Sequence, residues 1–235
     1  ANTRMKEREE GIQRLYPVFW NPRWYYLIQL RKLIEAVIRQ FLQQKQDLVL
    51  ADYGCGNRPY QPLVAPYVRE YKGIDLEENP RADIHISSAG HIEMEADAVD
   101  VVLSTQVLEH VVDPAFYLSE ARRILKSGGL LILTTHGYWM FHPDPTDYWR
   151  WTSAGLRKVV ADSGFEVLYF RGIIGRAAMG LQLFQDGFLF KIPRFMRPLL
   201  ALVMQPLIAL FDKTTSQQSK DADACTYVVV AKAKK

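Results

Sequence analysis

Cysteine is nearly missing. Cys55 and Cys225 are the two in 235 residues, which excludes a disulfide framework and any zinc site built on spaced cysteines, and fits a reducing compartment. Charge of one sign is also in short supply. A net charge of +3 is too weak to argue for a nucleic-acid partner. Long apolar runs are few: the longest uncharged one, "PLLALVMQPLIALF" at 198–211, falls short of the roughly 18 residues that span a bilayer, so no transmembrane helix is expected. Residues 1–10 are polar and charged, which predicts no secretory signal there. There is no internal repeat and no low-complexity tract. With 49% hydrophobic and 23% charged residues, the chain is long enough for one sizeable core with additions.

Residues 23–44 carry Trp24, Leu27, Leu30, Ile34, Val37, Ile38 and Phe41 at three- and four-residue spacing, which predicts an amphipathic helix started by Asn21-Pro22. The rhythm then shortens. "DLVLADYG", "YKGIDL" (71–76), "ADIHIS" (82–87), "VDVVLST" (99–105), "GLLILTT" (129–135), "FEVLYF" (165–170) and "CTYVVVAKA" (225–233) read as strands. Between them, "DPAFYLSEARRILKSGG" predicts a helix capped by Asp113 and stopped by Gly128-Gly129. "TSAGLRKVVADSG" predicts another, capped by Thr152 or Ser153 and stopped by Gly164. Strands alternating with helices predict a mostly parallel sheet covered on both faces. "TTSQQSKDADA" (214–224) reads as a polar linker.

In such sheets ligands bind at the carboxyl ends of the strands, near the topological switch point. The turn "DYGCGNRPY" (52–60) follows the first strand, and Gly54 and Gly56 let the backbone approach a ligand. Asp75 ends the second strand, about 20 residues on, where a carboxylate can accept ribose hydroxyls. A dinucleotide site would carry a third glycine where this chain has Pro59. Asp52 suits a positively charged group better than a pyrophosphate, which points toward S-adenosylmethionine, with its ammonium and sulfonium.

Four segments in order, "VLADYGCG", "GIDL", "VDVVLSTQVLEHVVDP" and "LKSGGLLILTT", make the chain resemble the class I S-adenosylmethionine-dependent methyltransferases over 47–170 and the last strand. The resemblance implies a Rossmann-like α/β fold: a seven-stranded sheet with helices on both faces and its last strand antiparallel. It also implies a cofactor site. Asp52, Gly54, Cys55 and Gly56 surround the methionyl part, Asp75 meets the ribose, and Leu76 packs on adenine. Ser104, Thr105 and Gln106 line the methionyl side. Relatives often carry an acidic residue after the third strand; here Ser87 or Ser88 takes that place. The third glycine after "GCG" gives way to Asn57-Arg58. Cys55 reads as a small packing residue rather than a nucleophile.

Methyl transfer needs alignment and, for some acceptors, a base. His110, in "LEHV", is either that base or a residue shaping the pocket, and Glu109 reads as structural. "HGYWMFHPDPTDYWRWT" (136–152) holds two of the five histidines and three of the five tryptophans. Its aromatic faces suit a sugar ring or an apolar group, and His136, His142 and Asp144 are candidate proton acceptors. The opposing reading is a proline-braced loop with Asp147 and Arg150 paired for structure. The "HPxPxDYWRWT" pattern resembles superfamily sequences associated with bacterial surface glycans, which favours a glycan-type acceptor. The "STQV" after the fourth strand lacks the "[DNS]PP[YFW]" motif of base methylation, so no nucleic-acid substrate is expected.

The expected organisation is an N-terminal helical cap (1–46) covering the cofactor side, a core (47–171), a helical insertion and linker before the last strand (172–224), and that strand (225–235). The insertion interleaves Lys191, Arg194 and Arg197 with Phe188, Phe190, Phe195 and Met196. It reads as a lid, a homodimer surface, or a peripheral membrane contact through 176–211. The expectation is a cytoplasmic enzyme that methylates a small-molecule or glycan- or lipid-linked acceptor at oxygen, with S-adenosylmethionine as cofactor and no metal. The alternatives are an inactive methyltransferase-like partner protein and a nucleotide-dependent oxidoreductase.

Overall fold

A computed structural model describes residues 11–143 and 146–234. The strands are β1 (Val49–Tyr53), β2 (Glu70–Leu76), β3 (Ile84–Ile86), β4 (Val99–Thr105), β5 (Leu125–His136), β6 (Phe165–Ile173) and β7 (Thr226–Ala233). They form one sheet in the order β3-β2-β1-β4-β5-β7-β6. β1 to β5 pair in parallel, and β7 runs antiparallel between β5 and β6. This is the Rossmann-like methyltransferase sheet that the motifs imply. The chain reverses its direction of travel across the sheet between β1 and β4, which places the switch point at their carboxyl ends.

Helices are α1 (Ile12–Leu15), α2 (Trp24–Leu42), α3 (Gln61–Val64), α4 (Pro114–Ile124), α5 (Ser153–Asp162), α6 (Arg176–Leu189), α7 (Arg197–Asp212) and α8 (Gln217–Ala222). Strand residues alternate between two cores. Leu50, Val101, Leu103 and Ile132 pack with α2, α6 and α7 on one face. Val49, Ala51, Val102 and Leu131 pack with α4 and α5 on the other. α2 buries Leu27, Leu30, Ile34, Val37 and Ile38, the stripe its spacing predicts. Its entry is fixed by the Asn21 side chain, which accepts from the Arg23 N–H at 2.7 Å.

Caps follow the sequence reading closely. The Asp113 carboxylate accepts from the N–H groups of Ala115 and Phe116, and Thr152 Oγ1 accepts from Gly155, each worth about 1 kcal/mol. Two expectations need correction. α4 stops at Ile124, not at Gly128-Gly129, because Leu125 turns extended and pairs with Val99 of β4; the ladder overrides the helical pattern. The 214–224 stretch is not a plain linker. Ser216 caps α8, and Asp221 on it accepts from Gly172 N–H and Arg171, tying the segment to β6. By length and composition alone, Arg194–Asp212, at 19 residues, is the one helix among the described residues apolar enough to cross a membrane.

Candidate active site

β1 delivers the glycine turn. Gly54 lies at φ 81°, and a Cβ there would stand 2.5 Å from Val107 Cγ2, so only glycine fits. Its N–H and that of Cys55 donate to the Ile74 carbonyl of β2. Gly56, at φ 50°, donates its N–H to Asp75 Oδ2 at 2.8 Å, and Asn79 Nδ2 donates to the same oxygen at 2.7 Å. Asp75 therefore braces the turn, while its Oδ1 accepts one bond, from Leu76 N–H, and keeps capacity for another donor. Leu76 is half exposed just beyond. Cys55 is buried and its thiol is pushed up to about 12 by burial, then by Asp52 and Asp75, so it is a packing residue and no nucleophile.

Asp52 is 1% exposed. The Tyr71 hydroxyl donates to its Oδ2, and its Oδ1 has no partner. Burial pushes this carboxyl up to about 7, against the pull of Tyr71. A buried carboxylate oxygen left unpaired beside a glycine turn fits a cationic ligand group. Tyr71 is a member that sequence reading missed; its signal was only a tyrosine in a strand.

Across the switch point, Thr105 ends β4 and Gln106 follows at φ 58°. Ser104 does not line the site. It is fully buried and its hydroxyl pairs with that of Tyr117 at 2.8 Å, on the α4 side of the sheet. Ser87, beyond β3, accepts from His91 N–H at 3.2 Å.

β5 ends at His136, and the loop after it brings His142 to His136 and His110. The His142 ring centroid lies 4.8 Å from that of His110 and 5.2 Å from that of His136. Asp144 lies outside the described residues. Trp139 stacks on His136 with centroids 4.5 Å apart, and Tyr26 of α2 packs on Trp139. Asp147 and Arg150 are paired through two 2.6 Å bonds, the structural role weighed for them. Although burial opposes ionisation, Arg150 and the His142 N–H hold Asp147 below the usual carboxylate range.

A directional hydrogen-bond chain joins this cluster to the cofactor side. His136 Nδ1 meets Thr226 Oγ1, which donates to the Tyr26 hydroxyl, which donates to Gln106 Oε1; Gln106 Nε2 donates to Thr134 Oγ1. His136 Nε2 lies 3.4 Å from Glu109 Oε1. Burial holds His136 well below the ordinary histidine value and brings His142 down to about 4. His110 Nδ1 donates to the Thr146 carbonyl at 2.6 Å, which leaves its Nε2 as an acceptor. Tyr26 and Trp139 were not singled out from sequence, because the pairing spans over a hundred residues.

Glu109, His136 and His142 offer ligand atoms within 4.8 Å of one another, as do His110, His142 and Asp147. Imidazole and carboxylate suit a divalent transition metal. Arg150 argues against one here, since its guanidinium is bound to Asp147 and lies 3.5 Å from His142 Nδ1.

Glu109 is fully buried, and burial pushes its carboxyl from 4.5 up to about 7. Its folded value exceeds its unfolded one, so the stability it contributes is complete below 4.5 and lost as pH rises through about 7. The two depressed histidines act in the opposite sense at lower pH. Glu109→Gln is therefore expected to be more favourable to stability at about pH 8 than at about pH 5 in denaturant unfolding. A variant offset equally at both values would reject the buried neutral carboxyl.

A family model described as a methyltransferase domain matches residues 25–169. A Mycolicibacterium smegmatis protein described as a probable S-adenosylmethionine-dependent methyltransferase is 29% identical over 160 residues, covering 62% of each chain. A ubiquinone biosynthesis O-methyltransferase of Ruegeria is 39% identical over 101 residues, covering 37% of this chain and 41% of that one. The chain thus spans less than two thirds of the length of either relative. Haemonchus contortus phosphoethanolamine N-methyltransferase 2, solved with S-adenosylmethionine, superposes with a TM-score of 0.57 at 15% identity, covering 92% of this chain and 57% of that one; this likeness speaks to the fold alone. With the family model covering more than half of the sequence and the sheet order in agreement, the chain belongs to the methyltransferase-domain family.

Proposed function

We propose that the protein is an S-adenosylmethionine-dependent methyltransferase acting on a hydroxyl of a small-molecule or glycan- or lipid-linked acceptor. The observation that carries this reading is the meeting of two half-sites. The glycine turn with its unpaired, buried Asp52 oxygen stands on one side of the switch point, and the aromatic-walled histidine cluster on the other, joined through Tyr26 and Gln106. Bound S-adenosylmethionine supplies an electrophilic methyl group on a sulfonium. Asp52 would meet its cationic methionyl end, Asp75 Oδ1 and Leu76 its nucleoside, and Thr105 and Gln106 the side toward the acceptor. Trp139 and Tyr26 wall the acceptor, and His110 takes its proton. The name of the Ruegeria relative assigns its transfer to oxygen, which supports a hydroxyl acceptor here. The histidine-rich loop supports it too, because a hydroxyl needs a base more than a neutral amine does.

The test is calorimetric titration with S-adenosylmethionine and S-adenosylhomocysteine, with NAD as control. Because burial holds Asp52 up to about 7, docking a cation beside it favours the ionised form and expels a proton. Near pH 7 the binding heat is therefore expected to vary with buffer ionisation enthalpy. Asp52→Asn is expected to remove that dependence and weaken binding. No binding of either sulfur compound would reject the reading; binding without proton release would move the cation away from Asp52.

A further inference from the structure

α6 and α7 are apolar on both sides. The faces they turn inward mix Ala178, Met179, Met204 and Ile208 with Gln182, Gln185, Asp186, Gln205 and Asp212, all buried. Gln182, Gln185 and Gln205 donate their side-chain amides to one acceptor, the Pro22 carbonyl, at 3.1, 2.7 and 2.6 Å. The faces turned outward are apolar. On α7, Leu199, Val203, Leu207 and Leu210 recur at three- and four-residue spacing and are all exposed. Phe184 and Phe188 do the same on α6, and Phe195, in the short turn between the helices, is 82% exposed. A helix pair that already has an inner face on the core and still leaves a row of phenylalanines and leucines outside is built for an apolar exterior.

The charges name that exterior. From 176 to 213 the acidic residues are Asp186 and Asp212, and both are buried. Every exposed charge in this stretch is basic: Arg176, Lys191, Arg194 and Lys213, with Arg197 half buried over the Phe190 ring. The segment leading into the Pro22 clasp adds exposed Tyr16, Phe19 and Trp20, with Phe19 against Trp24 and Tyr16 under Arg31 of α2, side chains with an apolar body and, in two of them, a polar tip. We propose that the outward face of α6 and α7, with the 16–20 segment, docks on an anionic lipid surface, apolar side chains entering the headgroup boundary and the basic ones meeting lipid phosphates.

Two other occupants fit less well. A symmetric second copy would bring basic tips against basic tips, with no exposed acid in the stretch to pair them. A spanning α7 would have to tear Asp212 from the Tyr25 hydroxyl, Gly175 N–H and Lys220, at 2.9, 2.9 and 2.7 Å, and strip Gln205 from Pro22. The helix therefore lies along the surface, held laterally by α2. Arg23 then links docking to the acceptor loop: its guanidinium lies 3.9 Å from Asp186 of α6, over the Trp139 ring and 3.1 Å from Met140 Sδ.

The test is cosedimentation of the full chain with vesicles of phosphatidylcholine alone or mixed equally with phosphatidylglycerol, at low and high salt. Three basic residues at the surface should improve partition into the anionic vesicles roughly a hundredfold over the neutral ones at low salt. Phe195→Glu with Leu199→Glu, and separately Lys191→Glu with Arg194→Glu, should each abolish that gain, while thermal unfolding shows both variants folded. Wild-type protein left in the supernatant with both vesicles overturns the proposal. Equal binding to neutral and anionic vesicles overturns the assignment to anionic lipid. A concentration-dependent dimer lost in Phe195→Glu with Leu199→Glu, with no vesicle binding, gives the face to a second copy instead. The readout uses neither S-adenosylmethionine nor an acceptor, so it stands or falls apart from the catalytic reading.

Discussion

His110→Ala is expected to lower turnover on a hydroxyl acceptor by about 10²–10⁴-fold, the usual contribution of a positioned general base, with S-adenosylmethionine affinity unchanged. His110 is singled out by orientation. Its Nδ1 proton is committed to the Thr146 carbonyl, so Nε2 is the nitrogen free to receive a proton. The neighbouring histidines are poorer candidates. Burial brings His142 down to about 4 and His136 lower than its ordinary value, which makes both reluctant to accept a proton near neutrality. Glu109 has a suitable basicity but no exposure, so it does not meet an acceptor. The measurement is methyl transfer from labelled S-adenosylmethionine across a panel of phenolic and sugar hydroxyls, with imidazole added to the variant. Recovery of rate by imidazole separates a lost base from a displaced 146–150 loop. Unchanged turnover in His110→Ala would mean that the transfer needs no base at this position.

Gly54→Ala is expected to destabilise the protein by roughly 2–5 kcal/mol and to abolish cofactor binding. Two costs add. The left-handed backbone at φ 81° costs an alanine about 1–2 kcal/mol. The new methyl, placed 2.5 Å from Val107 Cγ2, must displace a side chain in the turn that follows β4, at the usual 1–3 kcal/mol for overpacking. The double variant Gly54→Ala, Val107→Ala relieves the two closest approaches, at 2.5 and 2.9 Å, but not the backbone cost. It should regain the second part of the stability in urea unfolding while cofactor affinity stays low. Full recovery of both would show that sterics alone governs the turn; no recovery would place the damage elsewhere.

What the sequence disclosed was what depends on near neighbours. The end of β1 was legible because an apolar run meets glycines, and the Asp113 cap because a short acceptor stands before Pro114. The end of α4 was not, because Leu125 obeys β4, a partner distant in sequence, over its own helical neighbours. At the site, the glycine turn and the three histidines were visible as residue types in suggestive places. The contacts that give them work were not. Tyr26 meets Gln106 80 residues away, and Thr226 meets Tyr26 across 200. Ser104 shows the converse error: a motif position next to the site whose side chain faces the other layer, as alternation along a strand dictates.

The placement of β7 between β5 and β6 bears on how the protein is made. β6 pairs with no strand but β7 among the described residues, and β5 has β7 as its second neighbour. A ribosome that has released the chain through α8 has thus produced a five-stranded partial sheet, β3 to β5, and a stray β6 with no ladder to join. Both would present bare hydrogen-bonding edges to other nascent chains. Completion waits for the eight residues Thr226–Ala233, which slot into a gap already flanked on both sides. β7 acts as a keystone, and the edges of β5 and β6 stay bare in the interval before it arrives.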